Sequence, residues 1–285
     1  MPTRFARSSV VALVLSAGLA ALPACKKSKP NAPDTSAPSQ NPAPSPGPSV
    51  VTPLPGTGDS SLPPAPRGPI FGAQNPRVAA ARAKAEDNMK QIMFGLQSYT
   101  DTYGTLPGGY ADKTGKPGLS WRVAILPFIE QDNLFKQFKL DEPWDSPTNK
   151  KLIDQMPKVF APDQNVRGWT YARGFSGPNT WLPAQPPGQP GQPGQPLKGV
   201  GLTQISDGTS NTILVAEAAE PVIWTKPDEV AFDPKSPPKL GGVFESGIVV
   251  GMGDGSVRFL AKTIAPKTLA NAIQINDGNI VNFDN

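Results

Sequence analysis

Histidine is absent from this chain of 285 residues, and cysteine occurs once. The first absence excludes Ser-His-Asp and Cys-His catalysis, and every zinc site that uses imidazole. The second excludes an internal disulfide and a thiolate metal cluster. An excess of one charge sign is also missing. The formal net charge is +4, and Arg4, Arg7, Lys26, Lys27 and Lys29 supply it, so the remainder is close to neutral. Nucleic acid is therefore not an expected partner. Any enzyme of this composition would rely on carboxylate, lysine, serine or tyrosine chemistry.

What is abundant is proline, at 36 residues, with 28 glycines. Such a composition points to long irregular stretches beside a smaller folded part. The first 25 residues fall into three zones. Arg4 and Arg7 make a positive start, and Val10 to Leu22 is apolar but short for a membrane span. Leu22-Pro23-Ala24-Cys25 closes the segment. This is the pattern of a secretory signal peptide, and its ending resembles a bacterial lipobox. In lipobox proteins the cysteine is lipidated and becomes the mature first residue. Acyl chains bury methylenes in a bilayer at about 0.8 kcal/mol each, which makes Cys25 an expected membrane anchor without a redox role. Lys26 follows it in place of aspartate. Under the Gram-negative sorting rule, that favours the outer membrane over the inner.

Residues 26–75 are rich in Pro, Ala, Ser and Gly and poor in large apolar side chains. They cannot bury enough surface to offset the entropy of ordering, so a disordered linker is expected. At about 3.1 Å per residue, some fifty residues reach on the order of 150 Å at most. The expected role is a spacer between membrane and domain. A second low-complexity tract, "PAQPPGQPGQPGQP" at 183–196, reads as a surface loop inside the folded part.

The globular domain is expected over 76–285. Asn75-Pro76 has the form of a helix start. Val78, Ala81, Ala85, Met89, Ile92, Leu96, Tyr99 and Tyr103 then recur at steps of three and four, the apolar stripe of one long helix. Gly104 and Pro107-Gly108-Gly109 end it. Ser120 is placed to cap a helix through Ile129, and Leu134, Phe135 and Phe138 suggest another short piece. Ser146-Pro147 opens a helix to about Met156. The second half reads as strands: "TILVAEA" at 212–218, then "GIVVGM" and "SVRFL" flanking the hairpin signal Gly253-Asp254-Gly255. A short helix over 266–273 and a turn at Asn276-Asp277-Gly278 complete the chain. The order predicts an α+β fold, a long N-terminal helix packed on an antiparallel sheet.

"NMKQIMFGLQSYTDTYGTLPGG", "LSWRVAILPFIEQ", "LDEPWDSPTNKKLI", "DGTSNTILVAE" and "GDGSVRFL", in that order, resemble the DUF1559 family over most of 76–285. These are exported proteins, abundant in planctomycete bacteria. The resemblance implies a pilin- or pseudopilin-like layout. Relatives usually begin with a prepilin leader and a membrane helix. Here a lipobox and tether stand in their place, which argues against polymerisation through a hydrophobic helix bundle. Members also typically carry His, nine residues, then Asp-Gly. Asp254-Gly255 matches the end of that motif, but its histidine position holds Phe244, which suits packing rather than chemistry.

The leading functional expectation is a non-enzymatic envelope module that acts as a structural or interaction component, with envelope or secretion-system proteins as partners. The alternative is a lipoprotein that captures a carbohydrate or peptide. Trp121, Trp144, Trp169, Trp181 and Trp224 are its candidates for sugar stacking, with Trp121 and Trp144 expected in the core and Trp169 and Trp181 outside. Carboxylate pairs at Asp141 and Asp145, or Glu217 and Asp254, are the weaker enzymatic option. No cofactor is expected beyond a candidate calcium or ligand site at Asp207, Asn211 and Asp254.

Overall fold

The computed structural model describes residues 77–162, 166–182 and 190–281, together with Leu62, residues 64–66 and Phe283. All belong to one unit, Thr57–Asn285. The signal peptide, Cys25, most of the 26–75 segment, the Asn75-Pro76 helix start and residues 183–189 lie outside the described residues.

The long helix is α1, Val78–Tyr103, at 26 residues about 39 Å long. It opens after Arg77 without a side-chain cap and closes on Gly104, whose φ of 78° places it in the left-handed region. The Gly104 N–H returns to the Thr100 carbonyl, as a helix-ending glycine should. The buried face runs through Ala85, Met89, Ile92, Met93, Leu96 and Tyr99. Tyr103, the last residue of the expected stripe, is 58% exposed. It lies at the helix end, its ring tilted against that of Tyr99 with centroids 4.5 Å apart and edge-on to Phe128.

Two small strands and a series of short helices follow. β1 (Pro107–Ala111) pairs antiparallel with β2 (Pro117–Leu119). α2 (Trp121–Ala124) is capped by Ser120, whose side chain accepts the Arg122 N–H at 3.2 Å. The expected helix through Ile129 breaks there. Pro127 lacks the N–H that an α-helix needs, and the chain continues as a 3-10 turn, Leu126–Ile129. α3 is Asp132–Phe135. The segment behind Ser146 forms a 3-10 helix, Asn149–Gln155, with the Ser146 hydroxyl accepting the Asn149 N–H. A further 3-10 turn is Lys158–Phe160.

The remaining strands are β3 (Trp169–Arg173), β4 (Phe175–Ser176), β5 (Pro196–Lys198), β6 (Ile213–Ile223), β7 (Val230–Ala231), β8 (Gly247–Met252) and β9 (Val257–Ala261). α4, Pro266–Ile273, ends the set with the bounds read from sequence. The main sheet is antiparallel in the order β3-β6-β8-β9. β5 joins β1 and β2 in a second sheet, and β4 pairs with β7 in parallel. The end of the Gln-Pro tract is thus docked onto the hairpin: Gly191 N–H reaches Gly115 O and Gly194 N–H reaches Ala111 O, each at 2.8 Å.

Alternation along the main sheet builds three layers. Val215 and Val249 share a core with Met89, Ile92 and Leu96 of α1. Ala216 and Val250 face the other way and share a core with Leu269 and Ile273 of α4. Each fully buried aliphatic side chain is worth about 1.5–3 kcal/mol, so the burial of α1 against the sheet is the main support of the domain. Two glycines permit the close approach. A Cβ on Gly95 would lie 2.7 Å from the Ile129 side chain, and one on Gly251 would enter the Met93 side chain.

Candidate functional site

The turns singled out in the sequence do meet. Gly253 N–H donates to Thr212 O at 2.9 Å and Asp254 N–H to Thr209 O at 3.1 Å, so the hairpin tip rests on the turn before β6. The side chains of Asp207, Asn211 and Asp254 are each engaged by backbone. The buried Asp207 carboxylate accepts from Asp277 N–H at 2.7 Å and Gly278 N–H at 2.9 Å. The Asn211 amide donates to the Asp207 carbonyl at 3.0 Å. The exposed Asp254 carboxylate accepts from the Ser256 N–H and hydroxyl at 2.9 and 2.6 Å. A cation at Asp207 would have to displace two N–H donors. Among the described residues, no three His, Cys, Asp or Glu side chains gather in a metal-binding group.

The other acidic candidates separate. Asp141 and Glu142 both face Lys113, at 3.6 and 3.4 Å, while Asp145 is exposed. Glu217 is interior and Asp254 sits on the hairpin tip. The tryptophans divide differently from expectation. Trp121 is buried as expected, but so is Trp181, at 0% exposure, with its indole N–H donated to Leu214 O at 2.5 Å. Its place is fixed by stacking edge-on to Trp121, with ring centroids 5.9 Å apart. Trp144 and Trp169 are half-buried. Phe244 is fully buried and meets the Phe259 ring edge-on at 6.0 Å, so it packs.

A charged centre that sequence reasoning missed lies under α2. Arg122, within the apolar run "SWRVAILPF", is 0% exposed. Its guanidinium makes a two-pronged pair with Glu229, at 3.0 and 3.1 Å, and its Nε donates to Ala172 O at 2.8 Å. Glu229 also accepts from Gly174 N–H at 2.6 Å. Burial pushes the Glu229 carboxyl above its ordinary value, against the pull of Arg122 beside it. The Trp121 indole N–H lies near enough to favour ionised Glu229, yet it has no partner in hydrogen-bond geometry. Next to this pair, Asp228 takes Arg173 and Lys226, each at 2.8 Å. These contacts bind α2, β3 and the approach to β7 into one unit. The signal was legible: a cation inside an apolar run demands a buried partner.

Clefts flank the strap from Met156 to Pro162, which packs against α1, and two of them meet at Ala161. The inner one, about 30 Å³, is lined by Asn88, Met89, Ile92, Tyr171 and Glu217. At Glu217 the ladder between β6 and β8 parts. Beyond Ala216↔Val250, the carbonyls of Glu217 and Ala218 accept instead from Gly241 and Gly242 at 2.8 Å. The Val249 N–H is taken by the Glu217 carboxyl at 2.9 Å. Burial pushes that carboxyl up to about 8, partly offset by the Val249 bond. The outer cleft, about 330 Å³, is lined by Lys84, Lys158 and Arg167, by Asp154, and by the apolar side chains of Met156 and Val166.

A family model described as "Protein of unknown function (DUF1559)" matches residues 74–242. It stops before β8 and β9, so the "GDGSVRFL" hairpin lies beyond the matched range. No curated protein and no solved structure matches the chain.

Proposed function

Because the chain belongs to the DUF1559 family, we propose that it is a lipid-anchored, non-enzymatic module of the cell envelope, pseudopilin-like in layout, that works by presenting surfaces to other envelope components. The observation that carries this reading is the use of α1. Its apolar face is committed to the sheet, and its outward face is mainly polar and small, with two large exposed rings, Phe94 at 63% and Tyr103 at the helix end at 58%. Such a helix is a rigid spine for a domain rather than a filament seam. Among the described residues no helix is long and apolar enough to cross a membrane. In this reading Cys25 holds the protein at the outer membrane, and the Pro-rich segment sets the distance to the domain.

The test is made on the full-length protein in a bacterial host. Metabolic labelling with a clickable fatty acid should mark it, and Cys25→Ser should abolish the label and release the protein from membranes. Crosslinking in intact cells should then trap envelope proteins on the anchored form. A chain that is unlabelled, or that is monomeric and uncrosslinked in the envelope, would overturn the reading.

A further inference from the structure

The outer cleft beside the strap collects three cations that lack partners among the described residues. Lys84 comes from α1, Lys158 from the 3-10 turn Lys158–Phe160, and Arg167 from the lead into β3. Neighbouring cations on α1 close locally, Arg82 on Glu86 at 2.7 Å and Lys90 on Asp87 at 3.0 Å. Among the described residues, Lys84, Lys158 and Arg167 make no ion pair and no side-chain hydrogen bond, and Asp154 at the same cleft pairs with none of them. Unneutralised like charges around a concavity raise its potential and draw anions.

Size and chemistry narrow the ligand. A volume of about 330 Å³ lies at the lower end of the range for small-molecule sites, about 300–1,000 Å³. Among the described lining residues, three cations against one acid suit a ligand of two negative charges. A phosphomonoester carries roughly −1.5 to −2 at neutral pH and three acceptor oxygens. An arginine fork takes two of those oxygens, while lysines act as point charges. Met156, Ala161 and Val166 supply an apolar wall beside the charges. We propose that this cleft binds a phosphomonoester carrying a short apolar stem. The site stands whether or not Cys25 bears a lipid.

All three cations are exposed, so their replacement leaves the core intact. Calorimetry on the full-length protein would use hexyl phosphate, with inorganic phosphate beside it. Vesicle sedimentation would compare phosphatidylcholine with and without phosphatidic acid, so that any anchor cancels. The expected result is saturable binding of hexyl phosphate if the ester is soluble, or a phosphatidic-acid-dependent increment if it is a lipid headgroup. In the Lys84→Gln, Lys158→Gln, Arg167→Gln variant that affinity should fall at least about tenfold, or 1.4 kcal/mol. Lys136→Gln, a cation already paired with Asp132, should change nothing. No saturable binding in either arm, or equal affinity in the triple variant, overturns the proposal.

Discussion

Raising the pH through neutrality should weaken this fold, and Glu217 should be the reason. Its carboxyl is 6% exposed, accepts one hydrogen bond, and faces Met89 and Ile92 of α1, with no cation beside it among the described residues. Its native pKa is raised from 4.5 to about 8. Below about pH 4.5 both folded and unfolded chains hold the proton, so no penalty exists. Between the two values the native state binds the extra proton, and stability falls as pH rises, by up to about 1.4 kcal/mol per unit. Above about pH 8 both states are ionised and the whole penalty applies. Across the window the loss is on the order of 5 kcal/mol as an upper bound, because local opening that admits water would relieve part of it. That is comparable with the total stability of many domains, about 5–15 kcal/mol. Glu217→Gln keeps an acceptor for the Val249 N–H and removes the titration. Urea unfolding followed by tryptophan fluorescence, at intervals from about pH 5 to pH 9, would compare the two proteins. The variant should gain on the wild type steadily with pH. Glu229 is also raised by burial, but it is common to both proteins and cancels in the difference. A wild-type-minus-variant difference that stays level across the range would refute the reasoning.

Other expectations follow from the same contacts. Arg122→Met leaves Glu229 buried without its cation and should cost about 3–5 kcal/mol in denaturant unfolding, whereas adding Glu229→Gln to it should recover part of the loss. Gly95→Ala improves helix propensity by about 1 kcal/mol but presses on Ile129, and overpacking costs about 1–3 kcal/mol, so the melting temperature should fall slightly. Asp207→Ala removes the acceptor of the Asp277 and Gly278 N–H groups, and should speed hydrogen exchange at those two amides before it alters the rest of the domain. Millimolar calcium should leave the melting temperature unmoved; a rise that disappears in Asp254→Ala would assign a cation to the hairpin corner instead.

Periodic and capped elements were readable from the residues. α1 announces itself by its stripe, α4 by Pro266, and the β8–β9 hairpin by Asp254-Gly255, because local chemistry decides each of these. β3 was not foreseen, since "WTYAR" is short and becomes a strand only by pairing with β6. The loops beside Trp181 predict an exposed ring, yet its position is set by the Leu214 carbonyl and the Trp121 ring, both distant in sequence. Asn149 is another long-reach case. Its side chain gathers the Lys139, Glu142 and Pro143 carbonyls at 3.0 to 3.1 Å, a loop that no periodicity marks. The candidate site was legible in part. The Asp207 and Asp254 turns do converge, but the Asp207 carboxylate is held by a third turn at 277–278, while that of Asp254 is held within its own turn by Ser256. The sequence offers Glu217 as half of a pair with Asp254, but its isolation is a property of the packed layers.

The grip of Asp207 on the amides of Asp277 and Gly278 has a bearing on timing. A ribosome delivers that carboxylate some seventy residues before the groups it must hold. Until the closing residues emerge, the acid remains hydrated and the corner beneath the hairpin stays unsealed. A chain stopped after Ile275 should therefore be a polypeptide that collapses but does not lock, recognisable by its appetite for a fluorescent dye that seeks loose hydrophobic surface.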